Sequence, residues 1–141
     1  MLLSDYIAAV KAGNVSVVEQ AHRALASTKK IDADYHYINA LAEERMLAEA
    51  AVIDRAVKAG TSGRLAGVAV SVKDCLCVKG VESTAGSDVL RGYKPLFDAT
   101  AVHRAVRAGG MVLGKTAQDE FGFGGFSVNV GKGFCIPRHP L

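Results

Sequence analysis

The chain has 141 residues, of which 50% are apolar, 22% charged and 6% aromatic, with no Trp and a formal net charge of +3. That length suits one domain. The composition is too apolar for disorder, too poor in cysteine, at three, for a disulfide scaffold, and too mildly basic to argue for nucleic acid by charge alone. No apolar run approaches the ~20 residues that cross a bilayer. Residues 1–6 lack the basic and apolar regions of a secretory leader. With an odd number of cysteines, these features predict a reducing, cytoplasmic setting and no membrane partner.

Glycine and proline divide the chain. Residues 1–60 hold only Gly13 and Gly60 and no proline, whereas residues 61–141 hold the other glycines and Pro95, Pro137 and Pro140. The first part predicts a helical segment over 1–60, and the second predicts strands, turns and loops over 61–141. Ser4 is placed to cap a helix that stops at Gly13, where glycine takes a left-handed C′ position at little cost. Ser16 and Glu19 have capping-box spacing, and the helix they open carries Val18, Ala21, His22 and Leu25 on one face. His22 is expected there as a packing residue. Ile38, Ala42, Met46, Ala50, Ile53 and Val57 recur at three to four residues and predict one longer helix ending at Gly60.

Beyond Gly67 the pattern changes. Val68, Val70 and Val72 alternate with Ala69, Ser71 and Lys73, which predicts a short buried strand. Asp98 is placed to cap a helix through about Ala108 with Val102, Ala105 and Val106 inward, and 111–113 resumes as a strand. Strand, crossover helix and strand predict an α/β fold with a sheet and covering helices. From Phe121 onward no period survives, which suits a functional loop.

Lys73 is the residue of greatest chemical interest. It stands at the C-terminal end of its strand, where open α/β sheets place ligands, and its small neighbours Ala69 and Ser71 leave room around it. A lysine stripped of hydration gives up its proton more readily and can act as a base; one that reaches solvent as its strand ends has no such role. Other candidates fail on spacing. In the glycine tract 122–133, Phe126 stands where a phosphate-binding loop needs its first glycine and Gly133 where it needs a hydroxyl. Ser127 replaces the third glycine of a dinucleotide fingerprint. Cys75, Cys77, Cys135 and His139 could be assembled into a zinc site, but Cys-x-Cys is tighter than the usual ligand spacing. Ser71, Ser83, Thr84, Ser87 and Ser127 are scattered hydroxyls outside any Gly-x-Ser-x-Gly elbow, although a lysine can activate a serine.

Residues Gly63-Arg64-Leu65-Ala66-Gly67-Val68-Ala69-Val70-Ser71-Val72-Lys73-Asp74 closely resemble the opening motif of the amidase signature family. The likeness continues through Lys79-Gly80-Val81, Ser83-Thr84-Ala85-Gly86-Ser87, Asp98-Ala99-Thr100-Ala101-Val102, Gly114-Lys115-Thr116 and Asp119-Glu120-Phe121. Within that family the Asp-Glu-Phe stretch looks most like the subunits that release ammonia from glutamine to amidate Glu-tRNA(Gln). The resemblance implies the amidase signature α/β fold and a Ser–cis-Ser–Lys mechanism in which Lys73 is the catalytic base. It implies no cofactor or metal in this chain, and a separate partner subunit that binds tRNA, ATP and Mg.

The family's two serines lie in a Gly-Gly-Ser-Ser-Gly-Gly-Ser stretch, expected shortly after Arg138-His139-Pro140, while the sequence stops at Leu141. The 141 residues alone are therefore expected to be inactive, as the N-terminal part of such an enzyme and the first part of its α/β domain. Gly125-Phe126-Ser127-Val128-Asn129 also departs from the family's usual Gly-Ser-Ser-Thr-Glu-Asn, so no substrate contact is carried onto that loop. Two other readings compete: part of a stand-alone amidase with another substrate, and a non-catalytic module that binds a partner or zinc.

Overall fold

A computed structural model describes residues 2–138. In chain order the elements are α1 (Leu3–Lys11), α2 (Val17–Tyr35), β1 (Ile38–Leu41), α3 (Glu43–Lys58), β2 (Ala69–Lys73), α4 (Thr100–Arg107) and β3 (Met111–Thr116). The strands form one mixed sheet in the order β1-β3-β2. β2 and β3 run parallel across the α4 crossover, and β1 pairs antiparallel with β3. The expected α/β architecture is present.

Side chains of β3 alternate between two apolar clusters. Met111 and Leu113 join Val10, Val17, Leu25, Met46 and Ile53 of the first three helices, while Val112 joins Val72, Val78, Val81 and Val102. Period-two alternation thus sends one face of the sheet to α1–α3 and the other to α4 and the loop before it. Each fully buried aliphatic side chain contributes about 1.5–3 kcal/mol.

Local chemistry explains the helix ends. After α1, Gly13 N–H reaches the Val10 carbonyl at 2.9 Å and Asn14 N–H that of Ala9 at 3.0 Å. This doubly bonded ending requires a left-handed residue at Gly13, whose φ is +76°. Gly60 and Gly109 end α3 and α4 by the same pattern. The N-termini differ from the sequence reading. Ser4 lies inside α1, and its first-turn acceptor is the Asp5 carboxylate, which takes the Leu2 N–H at 3.2 Å. Ser16 does cap α2 through Glu19 N–H, but Asp54 of α3 takes the Val17 and Val18 N–H groups at 2.8 and 3.2 Å. Glu19 instead pairs with Arg23 on the surface. His22 is exposed rather than packed, because the inward stripe runs through Val17, Ala21, Leu25 and Thr28.

The helix predicted from Ile38 to Val57 is a strand followed by a helix. Ile38–Leu41 are drawn into the ladder with β3, and Gly114 permits the approach, since a Cβ there would lie 2.5 Å from the Ala40 carbonyl oxygen. Nor does Asp98 cap α4. It accepts two hydrogen bonds from Arg45, at 2.7 and 2.8 Å, and one from the Lys79 N–H at 2.8 Å. Arg45 also bonds Glu49 at 2.8 Å, and the other Glu49 oxygen accepts the Val112 N–H. This clasp ties α3 to β3 and to the start of α4. It is mostly withdrawn from solvent, at 14–19% exposure.

Candidate active site

Lys73 closes β2, next to Asp74 in the chain and opposite Thr116 in the ladder. The strand predicted as buried is half exposed: Ala69, Ser71 and Lys73 share one exposed face of β2, and only Val72 is fully buried. The buried strand is β3, which has a neighbour on each side. Lys73 is therefore exposed rather than partly buried.

Directly behind Lys73 lies a buried polar cluster. Lys115 is fully buried, and its ammonium donates to the Asp74 carboxylate at 2.9 Å, the Asp74 carbonyl at 3.2 Å and Ser83 Oγ at 2.7 Å. The Asp74 carboxylate also accepts from Thr84 N–H at 3.2 Å, the Thr84 hydroxyl, and Asn39 Nδ2 at 2.9 Å. All three ammonium protons have acceptors, and both carboxylate oxygens have donors. That is the condition under which a buried ion pair is tolerated.

Two irregularities assemble this cluster. A bulge in β1 sets Ile38 and Ala40 opposite Thr116 and Lys115, leaving Asn39 out of register, and its amide reaches Asp74. In the β2–β3 ladder, Leu113 is an extra residue, so Lys115 rather than Gly114 sits beside Val72. Bulges commonly re-aim side chains in this way. Sequence reasoning noted Lys115 only as part of a motif and missed Asp74 and Ser83 as its partners and Asn39 as a second donor to Asp74. The available signal was a lysine inside an otherwise apolar strand, which demands a buried acceptor.

The segments that carry the family resemblance converge on this end of the sheet. Phe121 N–H bonds the Ala85 carbonyl at 2.8 Å, Gly131 N–H the Gly86 carbonyl at 2.9 Å, and Ser87 Oγ the Glu120 carboxylate at 2.6 Å. The segment after Phe121 is irregular, as predicted, and Asp119 organises it. Its carboxylate accepts from Ser127 N–H at 3.0 Å and Asn129 N–H at 2.8 Å. Backbone N–H groups, that of Asn129 foremost, hold this carboxyl below the ordinary range. Gly124 passes so close that a Cβ there would fall 2.2 Å from the carboxylate carbon. Asp98, by contrast, lies in the Arg45 clasp and joins neither group.

Of the residues considered for zinc, Cys75 and Cys135 are exposed, Cys77 is half-buried, and His139 lies outside the described residues. Among the described residues, no three His, Cys, Asp or Glu side chains come together to hold a metal ion. Among them, too, no helix is long and apolar enough to cross a membrane.

Known proteins with the same pattern extend this geometry. The A subunit of glutamyl-tRNA(Gln) amidotransferase from Symbiobacterium thermophilum is 37% identical over 131 residues, covering 92% of this chain and 26% of the relative. Its chloroplastic/mitochondrial counterpart from Zea mays is 46% identical over 108 residues, covering 74% of this chain and 19% of the relative. The native peptide amidase of Stenotrophomonas maltophilia superposes with a TM-score of 0.76 at 29% identity, over 84% of this chain and 25% of that one. A bacterial aryl acylamidase of the amidase signature family shares the fold, with a TM-score of 0.84 at 22% identity over 90% of this chain and 27% of that one. This chain thus spans about a quarter or less of the length of these proteins. The amidase family model matches residues 19–141, and the chain belongs to the amidase signature family.

Proposed function

We propose that this chain is the N-terminal part of a glutaminase subunit that supplies ammonia for converting Glu-tRNA(Gln) to Gln-tRNA(Gln). The observation that carries this reading is the similarity to the amidotransferase polypeptide of Symbiobacterium thermophilum along 92% of the chain. It is supported by the position of Lys73 at the C-terminal end of a parallel strand, beside a rigid cluster that contains the neighbouring Asp74.

In this mechanism Lys73 is the general base. Its neutral amine accepts a proton from a bridging serine, which in turn activates a second serine to attack the amide carbon of glutamine. Ammonia leaves, and water hydrolyses the acyl-enzyme. In this reading both serines come from the part of the family polypeptide outside these 141 residues. Lys115 is unsuited to the role of base, because its ammonium is fully committed to three acceptors. The tRNA, ATP and Mg belong to a separate partner subunit.

The test is ammonia release from glutamine by this chain assembled with the remaining part of the Symbiobacterium thermophilum polypeptide. Lys73→Ala should abolish turnover, by about 10³-fold or more, while leaving the thermal unfolding of the 141-residue chain unchanged. Retained turnover in that variant would remove Lys73 from the mechanism. Turnover of other amides but not of glutamine would make this part of a stand-alone amidase.

A further inference from the structure

The end of the sheet opposite Lys73 carries a face of uncompensated positive charge. β2 and β3 run parallel, so the segments that enter them from α3 and α4 meet at the strands' starting end. Arg104 and Arg107 lie in the last turn of α4, three residues apart and therefore on one helix face. Arg64 joins them, because its neighbours Gly63 and Leu65 lie against Ala108. Leu65 N–H donates to the Ala108 carbonyl at 2.7 Å, and a Cβ at Gly63 would fall 2.2 Å from that oxygen. Arg55 and Lys58, in the last turn of α3, precede the same segment.

All five side chains are exposed, and among the described residues none is in an ion pair. Residues 55–73 and 99–118, which build this end, contain no Asp or Glu. Asp54, beside Arg55 in the chain, is committed to the Val17 and Val18 N–H groups of α2. Among the described residues, no exposed large apolar side chain falls in either stretch; the nearest in the chain are Val52 and Leu76. A protein interface needs an apolar core inside its charged rim, and a helix lying in a lipid surface needs an apolar face turned to the lipid. α4 turns Val102 and Val106 to the sheet instead. Cations without apolar anchors fit a phosphate backbone, which guanidinium groups bind through paired hydrogen bonds. We propose that this face, centred on Arg64, Arg104 and Arg107, binds the phosphate backbone of RNA without reading its sequence. The net charge of +3 conceals the site, because the acidic residues sit elsewhere in the chain. On the amidotransferase reading above, the RNA is transfer RNA, gripped here in addition to its contacts with the partner subunit. That identity rests on the reading, whereas the contact with phosphate does not.

A fluorescent RNA hairpin titrated with the 141-residue chain provides the test. Each cation that neutralises a phosphate adds nearly one to the steepness of log affinity against log salt, so the five predict a slope of about −4. The Arg64→Gln, Arg104→Gln, Arg107→Gln triple variant should bind at least ~10-fold more weakly at about 50 mM salt, with a slope shallower by about 3. Arg64→Gln alone should make the slope shallower by about one. It lies outside both helices, so it decides the matter if the triple variant unfolds at a lower temperature. Lys132→Gln removes the same charge from the exposed loop at the Lys73 end and should bind as the wild-type chain does. Equal weakening by Arg64→Gln and Lys132→Gln would overturn the proposal, by making the attraction diffuse. Undiminished binding by the triple variant would overturn it as well, as would no binding by the wild-type chain. Tighter binding of polyglutamate or of phosphatidylserine vesicles than of the hairpin would assign the face to an acidic protein or a membrane, and would also overturn it. Ammonia release by the assembled enzyme keeps the two readings apart, since the triple variant should retain it. Its absence from the wild-type assembly would sink the glutaminase reading and the transfer RNA identity, while the hairpin titration still decides the phosphate contact.

Discussion

Two lysines stand one ladder position apart on neighbouring parallel strands and live in opposite surroundings. Lys115 of β3 has no solvent exposure and three acceptors around its ammonium; Lys73 of β2 lies open at the sheet edge. The strands themselves read alike, each a short run of small and branched apolar residues ending in lysine and a polar residue. Place in the sheet separates them, since among the described residues β3 has a neighbour on each side and β2 has one. Burial made Lys115 a structural cation, and the outer strand left the Lys73 side chain exposed.

The sharpest way to break this comparison is Lys115→Met. It strands the Asp74 carboxylate in a site built around a cation, which costs about 3–5 kcal/mol. Chemical denaturation should show a loss of that size. Combining it with Asp74→Asn should recover part of the loss, because the uncompensated charge is then gone. An unchanged midpoint in Lys115→Met would mean that the pair contributes nothing to the fold.

A smaller effect is expected from the less deeply buried counterpart of that pair, the Arg45 clasp. Arg45→Met removes two charge-assisted hydrogen bonds to Asp98 and one to Glu49, for a loss of about 2 kcal/mol. The hydrogen bonds from Arg45, more than any other cause, hold the Asp98 carboxyl below its ordinary range. A carboxyl lowered in the folded state adds stability that is complete above its unfolded value, near pH 4, and is lost as pH falls through the folded value. Unfolding midpoints between pH 6 and pH 2 should therefore fall more steeply in the wild-type chain than in Arg45→Met.

The smallest effect is local. Gly124→Ala drives a methyl group into the Asp119 carboxylate and should open the loop that this carboxylate organises. Amide exchange at Ser127 and Asn129 should quicken roughly tenfold, while the core amides of β3 keep their protection. Equal exchange in both proteins would show that Asp119 does not hold the loop.

What the sequence made legible was local. Ser16, Gly13, Gly60 and the β2–α4–β3 crossover follow from spacings of a few residues, and the structure bears them out. Ile38–Leu41 was unreadable as a strand for a physical reason. Its apolar positions continue the helical period of Ala42 and Met46, and only a β3 strand some seventy residues later draws it straight. Asp98 and Ser4 looked like caps because their neighbours made helices, yet Asp98 answers to Arg45, 53 residues away. The candidate site divides the same way. Lys73 was visible at the end of its strand, whereas the Lys115–Asp74 contact spans 41 residues and two bulges that no local pattern encodes.

The fully enclosed ammonium of Lys115 also gives the molecule an internal clock. An amine-acylating reagent can modify Lys73 at once, since its side chain meets the solvent. Lys115 can react only when its end of the sheet opens far enough to release the ammonium from Asp74 and Ser83. The ratio of labelling at these two positions, read in a single digest, therefore measures how often that opening occurs, without denaturant and without any assay of activity.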